Sequence, residues 1–246
     1  AEDGIRDYKV TGVQTCALPI CAHAAQAFPG ASPVAVRRVK YRSPVEPAAN
    51  GAQVTELTCQ LSPTANEGEV EFALSARIVG DAASANAESR RVAEGVVDFR
   101  PHRAVATRRA PEPPQVAPPP QPEMRELLPH RHPALFVEHA LHLGSGTEAS
   151  WFTGHVPTDH AMVHHGRASI FAAMEFAAQA AACIETLRTF PTLGARMLDG
   201  WLVGVRSAVL HAPDFPVEAK LTASLTTVTR GNFVHLATQI AADGIL

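Results

Sequence analysis

Apolar positions recur at every second residue in 69–79, E-V-E-F-A-L-S-A-R-I-V, where Val70, Phe72, Leu74, Ala76 and Ile78 fall on one side. A period of two predicts a half-buried strand. Residues 34–41 (V-A-V-R-R-V-K-Y) alternate more loosely, and residues 53–61 and 91–99 complete a set of four predicted strands. In the last of these Val92, Glu94, Val96 and Asp98 share a face. Pro44, Pro47, Asn50-Gly51 and Asn66-Glu67-Gly68 mark turns between the runs.

The second half has a different rhythm. Residues 135–143 and 148–153 predict two strands, and residues 166–188 a long alanine-rich helix. Ile170, Met174, Ala177, Ala178 and Ala181 form its apolar face, and so many alanines allow close packing. Glu175 and Gln179 interrupt the apolar stretch, and a bilayer would penalise both, so the pattern fits a buried helix and not a membrane span. Residues 201–210, 219–228 and 233–241 predict three more strands.

The two halves share a pattern. Residues 34–47, V-A-V-R-R-V-K-Y-R-S-P-V-E-P, line up with residues 201–216, W-L-V-G-V-R-S-A-V-L-H-A-P-D-F-P, and each is followed by two strands. Such an internal repeat predicts two copies of one unit. Only the first copy has a further strand, 91–99. The first copy is therefore expected to lack its beginning and the second its last strand. Between them, R-A-P-E-P-P-Q-V-A-P-P-P-Q-P-E (109–123) holds seven of the twenty prolines, which predicts an extended polyproline linker. The expected division is residues 21–108, a linker at 109–122, and residues 123–246.

Residues 1–20 stand apart. A-E-D-G-I-R-D and V-T-G-V-Q-T-C-A-L-P-I look like a sequencing adapter translated in frame, with Tyr8 and Lys9 where an index would sit. They are set aside as an artefact, with natural sequence expected from near Cys21. A formal net charge of -3 gives no general attraction to nucleic acid or anionic membrane. Cys16, Cys21, Cys59 and Cys183 form no C-x-x-C pair, which suits thiols in a reducing cytosol and a cytoplasmic location.

Three blocks carry candidate chemistry: L-L-P-H-R-H-P-A-L-F-V (127–137), F-T-G-H-V-P (152–157) and A-M-E-F-A-A-Q-A-A-A (173–182). In this order they resemble the opening, catalytic loop and central helix of the 3-hydroxyacyl-(acyl carrier protein) dehydratases and the dehydratase-like proteins of aryl polyene clusters. A-F-P-G-A-S-P-V-A-V-R-R-V-K-Y-R-S-P (27–44) and A-E-G-V-V-D-F (93–99) are similar to the first half of the double dehydratase domain of modular polyketide synthases. That family's catalytic histidine lies upstream of the matching segment.

The resemblance implies an α+β fold of tandem hot-dog units, each a long helix wrapped by an antiparallel sheet. It implies units that pair, as a homodimer or within one chain, so that each active site lies at a junction. The implied substrate is an acyl chain on the phosphopantetheine of an acyl carrier protein, with no metal and no redox cofactor. Removing water from a 3-hydroxyacyl thioester needs a base for the C2 proton and an acid for the leaving hydroxyl. His155 matches the family's base and Glu175 its acid. Amides at a helix start near Gly166 would steady the thioester oxygen, and Gln179, one turn beyond Glu175, would orient it.

The sequence departs from the family between base and acid. The span from His155 to Glu175 is longer by about a turn and a half of helix, and the family's P-G before the helix is H-G here. His164 or His165 are therefore alternative bases. His160, His164 and His165 beside Asp159 lack a cysteine or a second ligand pair, so zinc is not expected. His130 is expected to fix its loop. Arg125, Arg131, Arg167 and Arg206 are candidate contacts for an acidic carrier. No nucleotide-binding or serine-hydrolase motif occurs. A hot-dog thioesterase and a non-catalytic acyl- or carrier-binding module remain as alternatives.

Overall fold

The computed structural model describes residues 31–43, 54–79, 89–101, 109–128, 130–193, 204–230 and 234–245. The reading of residues 1–20 as an artefact lies outside the described residues. The chain divides into two compact units. One comprises Ala1–Ala104 with Trp201–Pro213, and the other Val105–Gly200 with Asp214–Leu246.

The first unit holds strands β1 (Ala31–Tyr41), β2 (Val54–Pro63), β3 (Glu69–Val79), β4 (Arg90–Pro101) and β9 (Gly204–Val209) in an antiparallel sheet of order β2-β3-β4-β1-β9. The period-two residues Val70, Phe72, Leu74 and Ala76 of β3 are buried. Strand β4 lies at the centre and buries Val92, Ala93, Val96, Val97 and Phe99, the near-continuous burial of a strand covered on both faces. Gly95 makes this possible, since a Cβ there would stand 2.8 Å from the Phe72 ring. Arg37 reaches Glu69 at 2.8 Å and the buried Asp98 at 3.0 Å, so the buried carboxylate of this sheet is paired.

Residues 204–209 depart from the expected arrangement. Instead of joining the sheet around the long helix, they pair with β1, Val36 opposite Ala208 and Val39 opposite Val205. Aligning Pro47 with Pro216 in the repeat makes Val36 equivalent to Val205 and Val39 to Ala208. The pairing is therefore reciprocal: each strand of the repeat offers its equivalent residue to the other.

The second unit contains a short helix α1 (Met124–Leu127), strands β5 (Val137–His142) and β6 (Ser150–Gly154), the long helix α2 (Ile170–Leu193), and the hairpin of β11 (Leu221–Arg230) with β12 (Val234–Ala242). These strands form the sheet β12-β11-β6-β5, and β7 (Val163–His164), β8 (Arg167–Ser169) and β10 (Asp214–Pro216) form a smaller one. Phe136, Phe152, Phe171, Phe176, Leu187, Leu221 and Leu225 are almost wholly buried between helix and sheet. Each buried side chain of this size contributes about 1.5–3 kcal/mol of transfer free energy. By length and composition Ile170–Arg188 could cross a membrane, but 65% of that stretch is buried within the protein and it carries Glu175. It is the core helix.

The proline-rich segment lies against this unit. Arg109 bridges Ile245, and the Ala110 amide donates to the Gly244 carbonyl at 2.9 Å. At the other end Gln121 donates to Ala140 O at 3.0 Å and accepts from Ala140 N at 2.7 Å. Its side chain thus pairs with edge strand β5 as a neighbouring backbone would, which blunts the exposed edge.

The helix begins later than expected. Residues 163–168 form a tight hairpin, Val163 opposite Ala168 and His164 opposite Arg167. His165 (φ 52) and Gly166 (φ 74) form its turn. Two successive positive φ values define the two-residue turn whose twist suits a hairpin. Gly166 therefore sits at an exposed turn, and the helix starts at Ile170, where the Ser169 hydroxyl accepts from the Phe171 amide at 3.4 Å.

Candidate active site

Glu175 is the polar centre of the second unit. It is 0% exposed, on a helix face with Ala172 and Phe176 beside it. Gln179, one turn further along, donates from Nε2 to Glu175 Oε1 at 3.1 Å and to Ala134 O at 2.7 Å, and accepts from the Phe136 amide at 2.9 Å. The pair is therefore anchored to the backbone ahead of β5. His130 Nε2 also approaches Oε1, at 3.3 Å.

One side of the cluster is unsatisfied. Glu175 Oε2 and both ring nitrogens of His130 are buried without a hydrogen-bond partner. Buried polar atoms are nearly always paired, so three orphans side by side mark a place built for something other than stability. Oε1 is occupied, and Oε2 is the oxygen left to exchange a proton.

His160 is the second buried imidazole. It packs edge-on against Phe136 with ring centroids 4.8 Å apart. Burial pushes its pKa down, against the smaller upward pull of Glu175 and Asp159. Its Nδ1 accepts from the Met162 amide at 3.2 Å. With Nδ1 accepting, the ring carries its proton on Nε2 and is a donor there.

His155 is placed differently. It follows β6 at the surface, with its side chain 51% exposed, and its Nδ1 lies 2.8 Å from Glu138 Oε1. A carboxylate this close to Nδ1 favours the tautomer with the lone pair on Nε2. The structure thus brings Gln179 and His130 into contact with Glu175, and places His155 beside Glu138. His164 and His165 are exposed at the β7–β8 hairpin. Gly166, expected near the helix start as a source of oxyanion donors, lies in that hairpin turn because its positive φ makes the turn.

Of the four arginines, Arg125 pairs with Glu123 at 2.5 Å and Arg167 with Asp214 at 2.7 Å. Arg131 donates to two backbone carbonyls, and Arg206 is exposed on β9.

Two residues of this cluster were read from the sequence for other roles, His130 as a loop anchor and His160 among histidines weighed as metal ligands. His130 stands 45 positions from Glu175, and no local pattern announces their contact. His160 had a usable signal. The excess between His155 and Glu175 is about a turn and a half, roughly five residues, and His160 is the histidine that far beyond His155.

An antiparallel sheet around one central helix, with a buried carboxyl on that helix, is the hot-dog-like arrangement of a dehydratase. The chain belongs to the ApeP-like family, described as ApeP dehydratase, whose model matches residues 122–245. It is a dehydratase, a lyase.

Solved structures agree on the fold. A bifunctional dehydratase-cyclase domain from ambruticin biosynthesis matches with a TM-score of 0.62 at 20% identity, over 97% of this chain and 80% of that one. The dehydratase domain from the terminal module of the rifamycin polyketide synthase matches with a TM-score of 0.62 at 15% identity, over 93% and 77%. The dehydratase domain from the CurH module of the curacin polyketide synthase gives 0.59 at 16%, over 96% and 78%. No curated protein matches the sequence.

Proposed function

We propose that the chain dehydrates 3-hydroxyacyl thioesters presented on the phosphopantetheine of an acyl carrier protein, in the cytoplasm, within fatty-acid or polyketide synthesis. The observation that carries this reading is Glu175, a carboxyl group wholly buried on the central helix, with Oε1 held by Gln179 and Oε2 open. His155 Nε2 takes the C2 proton. Charge moves onto the thioester oxygen, the C3–O bond breaks, and Oε2 of Glu175 gives its proton to the departing hydroxyl, which leaves as water. His155 is preferred to His160 because the Met162 amide occupies the His160 lone pair, whereas Glu138 leaves that of His155 open. No metal or redox cofactor has a step to perform.

Two further points belong to this proposal. First, the chain is a tandem of hot-dog units. The repeat and the reciprocal β1–β9 pairing support it. Second, the site is completed by a second copy. In its own unit His155 lies at the surface with Glu138 while Glu175 is buried, so the base of one copy would serve the acid of another.

The test uses a 3-hydroxyacyl pantetheine thioester and follows the conjugated enoyl product. His155→Ala and Glu175→Gln should each lower kcat by about 10²-fold or more. Mixing the two inactive variants under subunit exchange should restore part of the activity, because one of the two sites in each mixed dimer then combines an intact base with an intact acid. Full dehydration by Glu175→Gln would sink the mechanism. Release of free thiol in place of enoyl product would favour a thioesterase.

A further inference from the structure

Strand β5 contains an irregularity that the reaction scheme above leaves unexplained. Val137 pairs with Gly154 and His139 with Thr153, so two steps along β5 match one along β6 and Glu138 is the extra residue. Burial shows the same break. Val137 is buried, Glu138 and His139 are both exposed, and Ala140 is buried again, where a regular strand would alternate. A bulge of this kind re-aims a side chain. In regular register Glu138 would stand opposite Thr153. Here its carboxylate lies 2.8 Å from Nδ1 of His155, while the His155 amide donates to Phe136 O at 3.1 Å. His155 is thus held at two points by one short segment of β5 and its approach.

We propose that Glu138 is a positioning residue for His155, and that the β5 bulge exists to deliver it. This rests on the reading of His155 as the base. A carboxylate 2.8 Å from Nδ1 favours the ring form with its proton on Nδ1 and its lone pair on Nε2, and favours the orientation that presents Nε2. Glu138 also steadies the imidazolium that forms once the C2 proton is taken, without itself accepting that proton. The alternative partner for a positive charge here is solvent, since both side chains are about half exposed. Orientation, more than ion-pair strength, is therefore the expected contribution of Glu138.

Two measurements separate this claim from the one beneath it. The first is the tautomer of His155, read from the nitrogen shifts of the ring in the full chain. The wild type should show the Nδ1–H form. Glu138→Gln should keep it, because the amide oxygen still accepts, and Glu138→Ala should lose it. The second is turnover. Glu138→Ala should lower kcat at least tenfold with KM nearly unchanged, and Glu138→Gln should recover much of the loss.

An Nε2–H tautomer in the wild type, or a Glu138→Ala variant with wild-type kcat while His155→Ala is inactive, would overturn the positioning role alone. A His155→Ala variant with full activity would overturn the base assignment, whatever the tautomer shows.

Discussion

Gln179 donates to Oε1 of Glu175 at 3.1 Å across one turn of helix α2, and so decides which oxygen of the carboxyl is free. The same amide satisfies the Phe136 N–H and the Ala134 carbonyl. Gln179→Leu therefore strands buried polar groups on the backbone as well as on Glu175. Each orphan costs about 1–3 kcal/mol. Urea denaturation should show a midpoint lowered by the equivalent of roughly 2 kcal/mol or more at an unchanged slope, together with a lower kcat. An unshifted midpoint would mean that the network does not hold the site.

His130 should behave in the opposite way. Both its nitrogens are buried without a hydrogen-bond partner, and the approach of Nε2 to Glu175 Oε1 at 3.3 Å falls short of one, so the ring costs stability where it stands. Replacing it with an apolar side chain of similar size removes that cost. His130→Leu is expected to keep or raise the melting temperature while lowering dehydration at least tenfold, the exchange of stability for activity seen where a site is built from unfavourable parts. A variant that is destabilised and fully active would show that His130 only fixes its loop.

His160 sets a pH dependence. Burial depresses its folded-state pKa below that of the unfolded chain. The neutral ring is compatible with folding at any pH above the unfolded value of about 6.5. Below that value the unfolded chain takes up a proton that the folded chain resists, so stability falls as pH drops toward the folded pKa. Between pH 7.5 and 5.5 the wild-type urea midpoint should decline. His160→Gln should show a flatter profile over the same range, and parallel profiles would place the titration elsewhere.

The elements with a clear period were legible in the sequence. Strand β3 could be read from Val70, Phe72, Leu74 and Ala76, which are all buried as their spacing requires. The existence of helix α2 could be read from its alanines, but its buried face could not: Ile170, Met174, Ala177, Ala178 and Ala181 are only half-buried, and Ala172, Glu175, Phe176 and Gln179 lie on the buried side. What escaped notice depended on backbone geometry or on distant contacts. H-H-G-R reads as the approach to a helix, yet positive φ at His165 and Gly166 turns it into a hairpin. Strands β7, β8 and β10 have two or three residues, too few to show a period. The existence of β9 was plain from its composition, but its partner was not, because an alternating strand fits any sheet edge with a matching face. Nothing in the sequence singles out Glu138, since a bulge appears only once the partner strand is in register.

The glycine of F-T-G-H-V-P shows how a motif residue acquires a physical meaning. A Cβ on Gly154 would come within 1.9 Å of the Phe136 carbonyl oxygen. That carbonyl also receives the His155 amide, while the Phe136 amide is held by Gln179. One residue of backbone thus joins the surface histidine to the buried acid, and the bare Cα at 154 lets the strands close on it.

The docking of the proline-rich stretch has a mechanical consequence. With Ala110 fastened to Gly244 and Gln121 to Ala140, the ten residues between them have both ends fixed to one body. At about 3.1 Å per residue an extended stretch of that length would reach roughly 30 Å if one end were free. Pinned at both ends, it cannot reel a neighbouring domain in or out, and lengthening it should leave the spacing of flanking parts unchanged. The stretch therefore behaves as part of the surface of the second unit and not as a tether.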